Sequence, residues 1–307
     1  MSRKFLPLRY LLLALIACAA LGYYYMKEAP IKGGNLSDQV KSYITSNKAS
    51  SRQIALKEVF GENLNDLQIS DADFSSVELT GLDLSGSQFK NIQFNGAVIT
   101  LSSMKNVRFE SCDFTNATIS NSDLSNATFQ DSIIKNCEIN DTNLNYSTLA
   151  GTNLVNMKIT NSNFTGSNLN QASIIESMFE NVDWRQSNLH KITTSKSTFT
   201  NCKFTHSDLS ESKLDGSSFL SSDFESANLY AANLQACSLN NSNFHSSNLH
   251  SAIFTDAKLD GADLSNAYVY KADFQRASFI GTKLNEVDMR EANLDGANIQ
   301  EVALPAK

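Results

Sequence analysis

The sequence predicts an all-β chain in which a short extended piece and a tight turn alternate every five residues over most of its length. Three observations carry this. From Leu64 to Leu304 every fifth residue is large and apolar: of 49 such positions, 48 are Leu, Phe, Ile, Met, Val or Trp, and the exception is Thr194. Two residues earlier runs a second series of 49, of which 38 are Ala, Ser, Thr or Cys. The ten glycines beyond Gly34, from Gly61 to Gly296, all fall two residues after a large position or one turn ahead of the first. A period of five fits neither the 3.6 of a helix nor the two of a plain strand. Glycine tolerates positive φ, so its fixed place marks where the backbone turns. Each five-residue unit therefore sends one large and one small side chain inward.

Composition agrees. The 307 residues include 41 Ser and 33 Asn, which compete with a helical backbone for its hydrogen bonds, so long helices are disfavoured. A hydrophobic content of 41% suffices for a core. No proline lies between Pro30 and Pro305, as expected of a backbone whose N–H groups are needed for pairing. Residues 1–60 carry a net charge of +6 and residues 61–307 a net of −13, so the two parts are read separately. The acidic balance speaks against a general nucleic-acid binder.

Residues 1–26 form an export or membrane segment. Arg3, Lys4 and Arg9 precede an apolar run from Leu11 to Gly22, followed by Tyr23, Tyr24 and Tyr25. Three readings stay open: an uncleaved signal anchor, a lipoprotein signal in which Leu15-Ile16-Ala17-Cys18 is a lipobox and Cys18 is lipidated, and ordinary cleavage. The tyrosines suit a membrane–water interface, and the positive charges keep the N-terminus cytoplasmic, so each reading places the rest of the chain on the periplasmic or extracytoplasmic side or sends it out of the cell. Residues 27–50 read as a linker with at most one short helix (Ser37 to Ile44). Residues 51–61 read as a capping helix, with Ser50 or Ser51 as N-cap, Gly61 at its end, and Ile54, Leu56, Val59 and Phe60 as apolar surface. The repeat occupies 62–304.

Ala72-Asp73-Phe74, Ala227-Asn228-Leu229, Ala232-Asn233-Leu234, Ala262-Asp263-Leu264 and Ala292-Asn293-Leu294 closely resemble the A(D/N)LXX motif of the pentapeptide-repeat proteins. The resemblance implies a right-handed quadrilateral β-helix with four pentapeptides per coil. It would have about twelve coils and a length of roughly 58 Å at a strand spacing near 4.8 Å. On that fold Asn121, Asp141, Asn161, Asn181 and Asn201 stack in one outer column able to hydrogen-bond along the axis. Gyrase-protecting members that mimic DNA generally dimerise through a C-terminal module. No helix follows Leu304, so a monomer is expected.

No catalytic site, metal site or cofactor is expected. His190, His206, His245 and His250 lack metal-ligand spacing, and no phosphate loop or nucleophile elbow occurs. Cys112, Cys137, Cys202 and Cys237 occupy small inward positions and read as packed thiols. Only Cys137 and Cys237 share a column, about 24 Å apart, too far for a disulfide. Asp83, Asp123, Asp183, Asp223 and Asp263 share a column, but Lys203 and Lys283 interrupt it, which weakens a DNA-mimic, topoisomerase-binding reading. The expected function is a membrane-tethered scaffold or recognition rod for an unidentified protein partner. The alternative is a secreted bacterial effector or toxin-associated factor, since exported pentapeptide-repeat proteins include such members. Tyr230, His250, Tyr268, Tyr270 and Arg290 gather on one edge as the candidate partner site, with the rings stacking and Arg290 capping them. Thr194 is expected to hydrogen-bond the backbone while Ile192 fills the volume it leaves.

Overall fold

The computed structural model describes residues 35–47 and 56–300. Residues twenty apart lie side by side in parallel: Ile69 pairs with Phe89, Phe89 with Phe109, and Leu154 with both Ile134 and Ile174. One coil is therefore four five-residue sides, and the architecture is an all-β solenoid. Strands from Gln68–Asp73 to Thr198–Thr200 assemble into three parallel sheets. Beyond them the same register continues as single bridges such as Asp208↔Asn228 and Asp263↔Lys283.

Main-chain hydrogen bonds define the coil. The amide of a large inward residue donates to the next coil, as Phe74 N–H to Gln93 O at 2.7 Å. The amide before such a residue reaches back, as Gln88 N–H to Leu67 O at 2.7 Å. Two residues after the large positions the backbone is left-handed, with Glu291 the exception among the described residues. Non-glycine residues there have φ between +48° and +62°, and the ten glycines between +64° and +82°. Asn and Asp tolerate that conformation better than other non-glycine residues, which accounts for part of the asparagine excess. The Asp or Asn just before the large residue accepts the amide two positions on, as Asp123 Oδ1 from Ser125 N–H at 3.0 Å and Asn163 Oδ1 from Thr165 N–H at 2.9 Å. The motif thus carries its own turn cap.

Inside, the large residues stack coil on coil. Phe179 and Phe199 lie 4.6 Å apart and nearly parallel, and Phe204, Phe224 and Phe244 continue in the neighbouring stack at 4.7 and 4.8 Å. The small positions face main chain. Ser102 Oγ donates to Leu79 O at 2.7 Å and accepts from Leu82 N–H at 3.1 Å. A larger side chain would displace that contact. Cysteine serves the same purpose: Cys137 Sγ donates to Phe114 O at 2.9 Å and Cys237 Sγ to Leu214 O at 3.0 Å. All four described cysteines are free and buried, and burial pushes the thiols of Cys137, Cys202 and Cys237 up to about 12. Of the expected outer ladder, Asn181 donates to Asn161 at 3.2 Å and Asn201 to Asn181 at 3.4 Å, whereas Asp141 accepts from its neighbour Asn140.

The N-terminal end corrects one expectation. Helix α1 (Leu36–Asn47) contains the short helix allowed for at Ser37 to Ile44, but it is docked rather than part of a linker, with Val40 and Ile44 buried in the common core. Ser37 Oγ accepts Gln68 N–H at 2.9 Å, and Lys41 Nζ bonds Ser70 O, so the helix also satisfies the open edge of the first coil. A linker is polar throughout, and the apolar pair at i and i+4 is what docks this one. Helix α2 (Leu56–Phe60) falls inside the segment read as the cap; residues 51–55 lie outside the described residues. Its Phe60 meets Tyr43 of α1 edge-on at 5.6 Å. Both helices therefore close the first coil.

Thr194 corrects another. Its Oγ1 shares a hydrogen bond with Ser217 Oγ at 2.8 Å, a side chain of the next coil rather than backbone, and both residues are buried. Ile192 beside it is buried as well. Thr194→Val leaves the Ser217 hydroxyl without this partner and should cost about 1–3 kcal/mol, whereas Thr194→Val with Ser217→Ala should recover part of that loss. Thermal melts of the two variants check this; equal melting temperatures would show that the pair contributes nothing. For the thiols, with Cys18 replaced by Ala, the folded protein at pH 8 should label with a disulfide reagent far more slowly than the same protein in guanidinium, because the raised thiol pKa keeps thiolate scarce and burial blocks access. Fast labelling of four thiols in the folded state would contradict the packing.

Candidate binding site on the C-terminal coils

Outward side chains on consecutive coils are held in register by the main-chain ladder, so residues twenty apart become neighbours. Three tyrosines and a histidine use this. The rings of Tyr230 and His250 lie 5.2 Å apart at 89°. His250 meets Tyr270 at 5.3 Å and 83°, and Tyr268 at 5.6 Å and 86°. Tyr268 and Tyr270 flank the inward Val269 and stand parallel, 6.2 Å apart. Lys271 Nζ sits 5.2 Å from the centre of the Tyr270 ring. Edge-to-face packing favours such pairs through the ring quadrupole. Tyr230 and Tyr268 are nevertheless 43% and 55% exposed, against the near-complete burial of every phenylalanine from Phe74 to Phe279.

Four of the five expected residues are thus brought together, and the fifth is not. Arg290 does not cap the rings. It turns to Asp288 in its own coil, with Nε–Oδ1 at 2.8 Å, and this pairing holds the Asp288 carboxyl down at about 2. The physical reason is reach: a planar guanidinium closes a fork on a carboxylate two residues away more readily than it crosses a coil to a ring. Lys271, which sequence reasoning passed over, supplies the cation instead. Its place directly after Tyr270 at the turn was the available signal. Cys18 lies outside the described residues, as does the whole of residues 1–26. Among the described residues, no helix is long and apolar enough to cross a membrane, and no group of three or more His, Cys, Asp or Glu is placed to hold a metal ion.

One constellation superficially resembles a catalytic triad. His190 Nδ1 lies 2.9 Å from Ser210 Oγ, which in turn lies 2.6 Å from Asp208 Oδ1. The order is wrong for nucleophilic activation. Serine has one hydroxyl proton and gives it to the carboxylate, so the imidazole donates to Oγ and is not the base that removes its proton. The three residues form a cross-coil polar clasp.

Three of the five carboxylates in the acidic column are paired with a cation. Asp123 is met by Lys105 at 3.3 Å and Asn143 at 3.1 Å, Asp183 by Arg185, Asp223 by Asn243 at 2.9 Å, and Asp263 by Lys283 at 3.1 Å. Partial burial opposes ionisation of Asp183 and Asp263, and hydrogen bonds from Arg185 and from Ser265 and Lys283 outweigh it, so both carboxyls lie below the ordinary value. Elsewhere two bulky residues occupy left-handed turn positions and project outward: Leu101 at φ +54° and Tyr146 at φ +56°, 65% and 57% exposed. Tyr146 folds over Gly166 of the next coil, where an added Cβ would fall 2.5 Å from Cε1 of its ring.

No curated protein matches the sequence. Among solved structures, the chain is similar to HetL, a pentapeptide repeat protein involved in heterocyst differentiation regulation from the cyanobacterium Nostoc sp. strain PCC 7120. The identity is 18%, over 85% of this chain and 95% of that one, with a TM-score of 0.39. It is similar to QnrB1, a plasmid-mediated fluoroquinolone resistance protein, at 14% identity over 55% of this chain and 86% of that one, with a TM-score of 0.44. A pentapeptide repeat protein of the Arabidopsis thaliana thylakoid lumen is 29% identical over 32% of this chain and 68% of its own, with a TM-score of 0.31. The family model described as a pentapeptide repeat region matches residues 102–177 and 172–249, and the model of pentapeptide repeats in eight copies matches residues 272–305. These segments together span more than half of the chain, and the repeat, its turn chemistry and its coil register agree with them: the chain belongs to the pentapeptide-repeat family.

Proposed function

We propose that this protein is a non-catalytic recognition rod of about twelve coils, held at a membrane through residues 1–26 with the repeat on the extracytoplasmic side, and that it engages a protein partner through its C-terminal aromatic patch. The observation that carries the reading is the placement of Tyr230, His250, Tyr268 and Tyr270. In a chain that sends its phenylalanines inward, these rings are turned out and locked edge to face on successive coils. Exposed aromatic side chains held rigid before binding lose little entropy on contact, and tyrosine is enriched where interfaces concentrate their energy. The paired acidic column supports this over DNA mimicry, because carboxylates bonded to Lys, Arg and Asn do not present a bare row of phosphate-like charge. The basic and apolar run at residues 3–25 supports the membrane placement.

Two measurements test it. Tyr230→Ser with Tyr270→Ser should abolish capture of the partner by cross-linking pull-down while lowering stability by only about 1–2 kcal/mol, the worth of the lost ring contacts. Capture retained by the folded double variant would assign the rings to stability alone. On cell fractionation the full-length chain should sediment with membranes and its repeat should be digested by protease added outside intact spheroplasts. Recovery of intact protein in the cytosol would overturn the placement. Within a membrane-bound outcome, release by Cys18→Ala identifies a lipid anchor and retention identifies a helix.

A further inference from the structure

The patch carries more than a position. Tyr230 and Tyr270 lie two coils apart on one edge, about 9.6 Å at the strand spacing of a β-sheet. His250 stands between them, perpendicular to both rings within a few degrees (89° and 83°). Rings that alternate in orientation form no flat platform. No hydrogen bond among the described residues uses the phenol hydroxyls of Tyr230, Tyr268 or Tyr270. Alongside runs a ladder in which Asn248 Nδ2 donates to Asn228 Oδ1 at 2.9 Å and Asn228 Nδ2 to Asp208 Oδ1 at 3.0 Å. Each amide nitrogen keeps a second N–H for an outside acceptor. The bordering charge is small: Lys271 stands over its ring, and Arg290 is paired with Asp288.

We infer that this edge binds a proline-rich segment of the partner protein in polyproline II conformation, running along the rod. The inference rests on the reading of the patch as a recognition site and names its ligand. Polyproline II has three residues per turn at about 3.1 Å each, so one face of it repeats every ~9.3 Å, which matches the two-coil spacing of the tyrosines. Its backbone makes no internal hydrogen bonds, so its carbonyls need donors, and free phenols and asparagine N–H groups are donors at the right edge. Pyrrolidine rings are apolar and uncharged, suited to packing against exposed aromatic side chains such as Tyr230 and Tyr268. Phosphate-bearing ligands would call for several unpaired cations. A run of pyranoses stacked face-on would call for parallel ring faces along the axis, which the alternation denies. This chain has three prolines, at 7, 30 and 305, and cannot supply such a segment itself.

The test uses the full-length chain in detergent with fluorescein-labelled decaproline followed by polarisation. A glycine–serine decamer and a β-1,4-linked glucose hexamer serve as unlabelled competitors. Decaproline should bind saturably, neither competitor should displace it, and Tyr230→Ser with Tyr270→Ser should weaken it about tenfold or more. Tyr146→Ser, an exposed tyrosine elsewhere on the rod, should leave it unchanged. The single variant Tyr268→Ser repeats the test if circular dichroism shows the double variant misfolded. Absence of saturable binding by the wild-type chain, affinity untouched by the tyrosine substitutions, or displacement by the glucose hexamer would each overturn the inference. Loss of partner capture in the double variant without decaproline binding would reject the ligand and leave the recognition reading standing. Capture untouched by the double variant would reject both.

Discussion

Main-chain hydrogen bonds between residues twenty positions apart are the interaction on which everything else in this molecule hangs. Each coil donates to the next and to the one before, as Phe74 to Gln93 and Gln88 to Leu67, at distances near the short end for N–H···O bonds. A parallel ladder of this kind leaves no freedom of register, because a slip of one residue would exchange inward and outward side chains on every side of the coil. The phenylalanine stacks, the serine contacts to main chain and the outer columns follow from that single repeat. So do the turns: with five residues per side, one residue in five has to adopt positive φ, and Asn, Asp and Gly fill most of those places.

The same constraint explains why side chains on the surface behave as columns. Lys90 with Glu110, Lys196 with Glu176 and Arg276 with Asp256 are all partners across one coil. Such exposed pairs contribute little individually. Their effect is to hold those side chains in columns along the axis. Tyr230, His250 and Tyr270 form a column of the same kind, built from rings instead of charges.

Most of the fold was legible in the sequence because the period of five, the small second series and the glycine positions are three independent readings of one geometry. The aromatic grouping was legible too, since the twenty-residue column follows from the period. What escaped was decided by reach and by local competition. Arg290 found Asp288 before it could reach a ring, and Thr194 found the hydroxyl of Ser217, a residue on the next coil that spacing alone does not single out. Helix α1 was underrated because its docking rests on few residues, the buried Val40 and Ile44 with Tyr43 beside them, in a largely polar stretch. Those few suffice because the first coil offers them an uncovered core and an unpaired strand edge, which Ser37 and Lys41 meet.

The mismatch between a five-residue unit and a twenty-residue coil has a consequence for how such a chain changes over time. Removing or duplicating one unit keeps every interior place occupied by the same kind of side chain, so the interior scarcely registers the event. All residues beyond it, however, advance or retreat by one side of the coil. An insertion of five residues ahead of Tyr230 would carry the whole aromatic group to an adjacent side of the rod, facing a new direction relative to α1. Lengthening by four units would restore the direction and add one coil of height. Orientation and reach can therefore be altered separately, by insertions that leave the packing rules intact.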